Sequence, residues 1–274
     1  MAQRVMPVAQ SGSPIDVDIM RKCLIETLPD DEYYTDQHYG FKFRGLNDPG
    51  VYFFGQDDHR RPINFYYHQI YIQFAQQLLY LDNDREGAIA VLDKMVETIP
   101  PTKFGPPVPY LPYLEDYGFL TKIAEIYRDA GATEKAREWA QKALDEADAI
   151  VQSGAIPRYD SRNSQDYTVD QVRARTATIL GNYREASQIY EQMLARNPNN
   201  QSAKVEQDGI RIEQALASGD SATAQKLFDE ALASYGAAGD QRALLLGRRF
   251  PSLVEGVDAA NQEVTASTSE TGNE

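Results

Sequence analysis

The residues most able to do chemistry are few. The histidines are His38, His59 and His68. Asp57-Asp58-His59 sets two carboxylates beside an imidazole, but a metal site needs three or four convergent ligands. His59 is expected at the start of a helix next to Asp58, and no metal ligand is assigned. Asp82-Asn83-Asp84 has the acidity of a calcium loop without its twelve-residue ligand spacing. It fits better as a helix–helix turn in which Asp84 caps the second helix. The chain has no Gly-x-Ser-x-Gly elbow, no Cys/His pairing that can be placed and no glycine loop for phosphate. Carboxylates are abundant, but an acidic surface supplies them without chemistry. No catalytic or cofactor-binding residue and no cofactor is assigned.

The totals point the same way. The chain has 274 residues, a formal net charge of −14 and a pI near 4.7. Nucleic-acid binders carry a basic footprint, and none is visible here. An anionic membrane surface would repel such a chain. No apolar run approaches the ~20 residues of a transmembrane helix, and the first residues lack the apolar stretch of a signal peptide. Cys23 is the one cysteine, so no intramolecular disulfide forms. Taken as it stands, the chain is expected to be soluble, without inserting into a membrane, and it could be a piece of something longer.

The elements that would position any site come in repeats. Four segments share a turn, then an alanine, then a bulkier residue four positions on and a small or apolar one three later. They are Asn83 to Ala88 with Leu92 and Met95; Gly131 to Ala136 with Ala140 and Ala143; Gly181 to Ala186 with Tyr190 and Met193; and Gly219 to Ala224 with Phe228 and Ala231. A small alanine lets two helices approach closely, the bulky residue fills the space a turn later, and glycine allows a tight helix–helix turn. Ahead of each turn lies a helix-spaced apolar set. These sets are Ile63, Tyr67, Ile70, Phe74, Leu78 and Leu81; Leu120, Ile123, Ala124 and Tyr127; Val172, Ala174, Ala177 and Leu180; and Ile210, Ile212, Ala215 and Leu216. Asp58 and Pro62 suit the start of the first of these helices.

This pattern resembles the tetratricopeptide repeat, a helix pair of about 34 residues. The resemblance places repeats near 69–102, 117–150, 167–200 and 205–238. The usual tryptophan and Leu-Gly pair of the first helix are absent, and Ala140 stands where a larger residue is usual. The alternative is an irregular bundle built from the same helical hairpins. Spacing between the key alanines is uneven, with a Pro-rich insert at 100–109 and a second insert at 154–166. Tetratricopeptide arrays use the first helix of each pair as a concave binding face. The resemblance carries that face onto Gln73, Gln77 and Tyr80; Thr121, Glu125 and Arg128; and Gln171, Arg175 and Thr178. This set is either a peptide groove or a solvated polar helix face.

Residues 1–58 differ. A helix is predicted at 17–28, capped by Asp16. An aromatic-rich stretch with turn signals at Asn47 to Gly50 follows. Its rings, among them Tyr39, Phe41, Phe43, Tyr52 and Phe53, either cap the first repeat or form a recognition surface. The C-terminal tail, from 251 or 255 to 274, is expected to be disordered and acidic.

A second resemblance rests on Phe43 to Tyr52, on Asp57 to Arg61, on Ala88 to Met95 with Ile99-Pro100-Pro101, and on Arg4 to Val8. Together these are similar to the soluble C-terminal region of multipass membrane proteins of the Bacteroidota related to protein O-mannosyltransferases. The likeness covers about residues 1–150. It implies an extramembrane tail, on the periplasmic face of the inner membrane if the family topology is kept, and otherwise a soluble cytoplasmic protein. The catalytic membrane half is absent from the chain, so no catalytic residue carries over.

The sequence therefore predicts an all-α protein, a right-handed solenoid of αα-hairpins over 59–250 behind an irregular aromatic N-terminal segment (1–58). The predicted role is a non-catalytic scaffold for a protein or peptide segment, with a membrane protein as one candidate partner. The alternatives are a regulatory or acceptor-presenting domain of an O-mannosyltransferase-type enzyme, or a cap that only stabilises a larger assembly.

Overall fold

A helix leaves its first N–H groups without intrahelical partners, and ahead of several of these helices a side chain supplies one. The computed structural model describes residues 15–26, 46–48, 63–100, 114–154, 168–235 and 241–254. Asp16 accepts from the Ile19 amide at 3.0 Å and opens α1 (Val17–Leu24). A π-helical turn, Ile63–His68, leads into α2 (Gln69–Tyr80). Asp84 accepts from the Gly87 amide at 2.8 Å and opens α3 (Arg85–Thr98), the capping role expected of it. α4 (Leu114–Asp129) and α5 (Thr133–Ser153) follow, then α6 (Val169–Ile179) and α7 (Tyr183–Arg196). Asn200 opens α8 (Gln201–Ala217) through the Ala203 amide. Asp220 opens α9 (Ser221–Tyr235) through that of Thr223, and α10 is Gln241–Arg249. No strand occurs among the described residues; the fold is all-α, with neighbouring helices packed on one another.

Three connections share one construction, and a fourth is built similarly. At Gly131, Gly181 and Gly219 the backbone turns left-handed, with φ of 88°, 83° and 78°. At each, the glycine amide bonds three residues back, to Arg128, Thr178 or Leu216. The next amide bonds five back, to Tyr127, Ala177 or Ala215. Asn83, with φ 54°, makes the left-handed step at the first connection. The amides of Ala88, Ala136, Ala186 and Ala224 then each bond the carbonyl four residues earlier. All four alanines are buried, as are Leu92, Ala140, Tyr190 and Phe228 one turn on.

The chain divides into two compact units, 1–172 and 173–274. In the first, α2 pairs with α3 and α4 with α5, while α4 also touches α2 and α3. Tyr71, Phe74, Leu78, Leu92, Met95, Ile123 and Tyr127 are buried within it. α1 lies on α2, burying Met20, Cys23 and Leu24, and the Tyr71 hydroxyl donates to the Leu24 carbonyl at 3.1 Å. In the second unit Ala174 and Ala177 pack with Ala186, Tyr190, Met193, Ala203 and Ile210. A separate cluster joins Val205 and Ile212 to Phe228, Tyr235, Leu246, Phe250 and Leu253.

Several expectations shift. α1 closes at Leu24, where its buried face ends, rather than at 28; residues 27 and 28 lie outside the described set. Tyr67 and Leu81 are exposed rather than core. After the π-helical turn, α2 buries the expected Phe74 and Leu78 together with Tyr71, Ile72, Ala75 and Leu79. Leu216 is likewise exposed at the end of α8. Residues 251–254 form a packed helical turn, so the tail boundary at 251 falls too early. Asp58, His38, His59, Pro62 and both inserts after their first residue lie outside the described residues.

Candidate functional site

In the first unit, the polar face of α2 meets the C-terminal end of α4. Gln73, Gln77 and Tyr80 recur one turn apart, on one side of α2. Gln77 is buried and its amide reaches the Asp82 carboxylate at 3.3 Å. Tyr80 donates its hydroxyl to Asp129 Oδ2 at 2.6 Å. Arg128 Nε donates to the other oxygen, Asp129 Oδ1, at 2.8 Å, with 25% and 21% of the two side chains still exposed. Glu125 is close enough for its charge to act on Tyr80. Burial, then the Asp129 carboxylate and Glu125, push the Tyr80 phenol well above its ordinary pKa, against a smaller opposite pull from Arg128. The phenol therefore stays a neutral donor. Thr121, one turn before Glu125 on α4, is fully buried.

Three of the residues assigned from sequence thus meet around Asp129, namely Tyr80, Glu125 and Arg128, while Gln77 reaches Asp82 and the half-buried Gln73 lies one turn earlier on α2. Asp129 holds the cluster together and escaped the sequence reading, because its partner Tyr80 is 49 positions away.

A second polar link ties the two hairpins of this unit. Tyr127 donates to Asp93 Oδ1 at 2.9 Å, and Lys135 Nζ lies 2.6 Å from both Asp93 oxygens. Burial first, then the bond and charge of Asp93, raise the Tyr127 phenol. His68 is fully enclosed, with Nε2 2.7 Å from the Ile99 carbonyl and its ring 5.0 Å from that of Phe119. Burial drives its pKa down to about 4, against a smaller upward pull from the Ile99 carbonyl.

The third trio does not form a comparable face. Gln171 is buried as the closing member of a capping box: its amide N–H donates to Thr168 Oγ1 at 3.2 Å, and its Oε1 accepts from the Thr168 amide at 2.9 Å. Thr178 is buried too, its hydroxyl bonded back to the Ala174 carbonyl at 2.9 Å. Both short polar side chains are used by their own helix. Arg175 remains, within the second unit, 3.4 Å from Glu206. Glu206 also accepts from Arg249 Nη1 at 2.9 Å, and Arg249 Nε donates to Glu213 at 2.9 Å. The signal missed in the sequence was Glu206-x-x-Gly209-x-x-x-Glu213, two carboxylates on one helix face with a glycine between them.

The aromatic candidates Tyr39, Phe41, Phe43, Tyr52 and Phe53 lie outside the described residues. Among the described residues, no group of three or more His, Cys, Asp or Glu side chains is placed to hold a metal, and no helix is long and apolar enough to cross a membrane. Comparison with protein-family models, with curated proteins and with solved structures finds no match.

Proposed function

We propose that this chain is a non-catalytic scaffold of tetratricopeptide-type hairpins, stacked as a right-handed solenoid, that holds a protein segment. The observation that carries the proposal is the repeated connection: four turns with a left-handed residue, each followed by a buried alanine bonded four residues back. Repeating units of this kind suit extended contact surfaces rather than deep reaction pockets. The face around Gln73, Gln77, Tyr80, Glu125 and Arg128 is the proposed contact. Gln73, Tyr80, Glu125 and Arg128 are partly exposed beside the buried Gln77, and a polar face of this kind suits contact with an extended segment.

A photo-crosslinking amino acid placed at Gln73 tests this. Crosslinks from position 73, with none from the exposed Arg137 on α5, are the expected result. Equal labelling from both, or none from either, refutes the assignment.

The second reading makes the chain a regulatory or acceptor-presenting tail of an O-mannosyltransferase-like membrane enzyme, at the periplasmic face. It rests on the resemblance of Phe43 to Tyr52 and Asp57 to Arg61. Membrane-spanning segments encoded ahead of Met1, or in a neighbouring gene, support it; their absence argues against it.

A further inference from the structure

The face of α8 that carries Glu206 and Glu213 is a socket shaped for a guanidinium group. The two carboxylates stand at i and i+7 with Gly209 between them, all on one side of the helix. Arg249 occupies it. Its Nη1 lies 2.9 Å from Glu206 Oε2, and its Nε and Nη2 each lie 2.9 Å from Glu213 Oε1. The guanidinium passes directly over Gly209, where an added Cβ would come within 2.6 Å of Nη1 and 3.0 Å of Cζ. Glycine is a costly choice in the middle of a helix, about 1 kcal/mol worse than alanine. Here it clears the floor on which the guanidinium lies. Arg175 closes one end through Glu206 at 3.4 Å. With only 13% of the Arg249 side chain exposed, the charges are largely removed from water. A forked, planar cation matches this arrangement, and a point-like ammonium does not.

The anchoring of α10 is separate from this contact. Leu246, Phe250 and Leu253 are buried beside Phe228, and Arg242 donates to the Tyr235 carbonyl at 2.9 Å. These anchors hold the helix by apolar packing and a backbone carbonyl, and the guanidinium adds a contact 5.6 Å over the Phe250 ring.

We propose that the Glu206/Gly209/Glu213 socket is an arginine-binding site on the scaffold, filled in cis by Arg249 and opened to an arginine of a bound protein segment when that side chain swings out. This rests on the scaffold reading and adds to it both a ligand chemistry and an internal competitor.

N-acetyl-argininamide, with N-acetyl-lysinamide as control, is the probe, titrated against the full chain while the Gly209 amide resonance is followed. Arg249→Gln should bind the arginine probe about tenfold or more tightly than the native chain, because a site occupied in cis is open only a fraction of the time. The lysine probe should bind at least about tenfold more weakly than arginine, for want of the fork. Adding Gly209→Ala or Glu206→Gln to Arg249→Gln should abolish the gain. Equal affinity in the native and Arg249→Gln chains, or equal binding of the two probes, overturns the proposal and leaves Arg249 a structural clamp. Should Arg249→Gln fail to fold, Arg249→Lys takes its place in the same titration, because an ammonium keeps the charge and loses the fork. Tighter binding of the arginine probe than by the native chain supports the proposal, and equal affinity refutes it. Failure of the Gln73 crosslink alone would count against the first-unit contact and leave these titrations unaffected.

Discussion

At the scale of single residues, the enclosed groups make the firmest statements. His68 is held neutral in the folded chain, with a pKa near 4 against an ordinary 6.5. The unfolded chain therefore binds the extra proton first as pH falls. The contribution of this residue to stability is intact above about pH 6.5 and is lost progressively down to about pH 4. The loss amounts to something on the order of 3 kcal/mol. Thermal melts between pH 7 and 4.5 should show a steeper decline in the native chain than in His68→Gln, which has no imidazole to charge. Parallel curves would contradict this. Phe228 is wholly buried in the second-unit core, and Phe228→Ala should cost about 3–5 kcal/mol in chemical denaturation. Gly181 carries φ 83° with open space where a Cβ would stand. Its replacement by alanine is therefore a test of backbone strain alone, and should cost about 1–2 kcal/mol.

At the scale of elements, hairpin turns were legible and side-chain destinations less so. Gly181 and Ala186 announce a turn and a close helix approach through local chemistry, so sequence was enough. The π-helical turn was not legible, because nothing in Ile63 to His68 signals one, and Tyr67 within it is exposed. Gln171 looked like a binding residue at a family position, although Thr168-x-x-Gln171 is itself a helix-start signature. Local bonding took the side chain first. Asp129 and Arg249 were invisible because their partners lie tens of residues away. Asp84 was read correctly, and Asp84→Ala should weaken α3 by about 1 kcal/mol. The loss should be read as faster amide exchange over residues 85–90 than over 114–129; uniform acceleration would point instead to the Arg21 contact at 3.6 Å.

At the scale of the whole molecule, helices pack mainly on those next in sequence, and the chain resolves into two compact units. Folds of this kind gain stability from nearest neighbours. Destabilisation at Phe228 should therefore stay local. Hydrogen exchange in Phe228→Ala should rise over residues 201–254 and change little over 69–100. Equal acceleration everywhere would show one cooperative unit. The net charge of −14 is offset locally where carboxylates meet arginines, at Asp129 with Arg128 and at Glu206 and Glu213 with Arg249.

The burial of Cys23 beneath α2 has a practical consequence. The chain holds this one thiol, fully enclosed, and burial pushes its pKa up. A thiol reagent can tag it only when the packing around α1 opens, so the speed of tagging clocks that opening. The native protein thus carries its own stopwatch for the N-terminal edge. A segment clamped against that edge would slow it, with no dye or added mutation needed to see the effect.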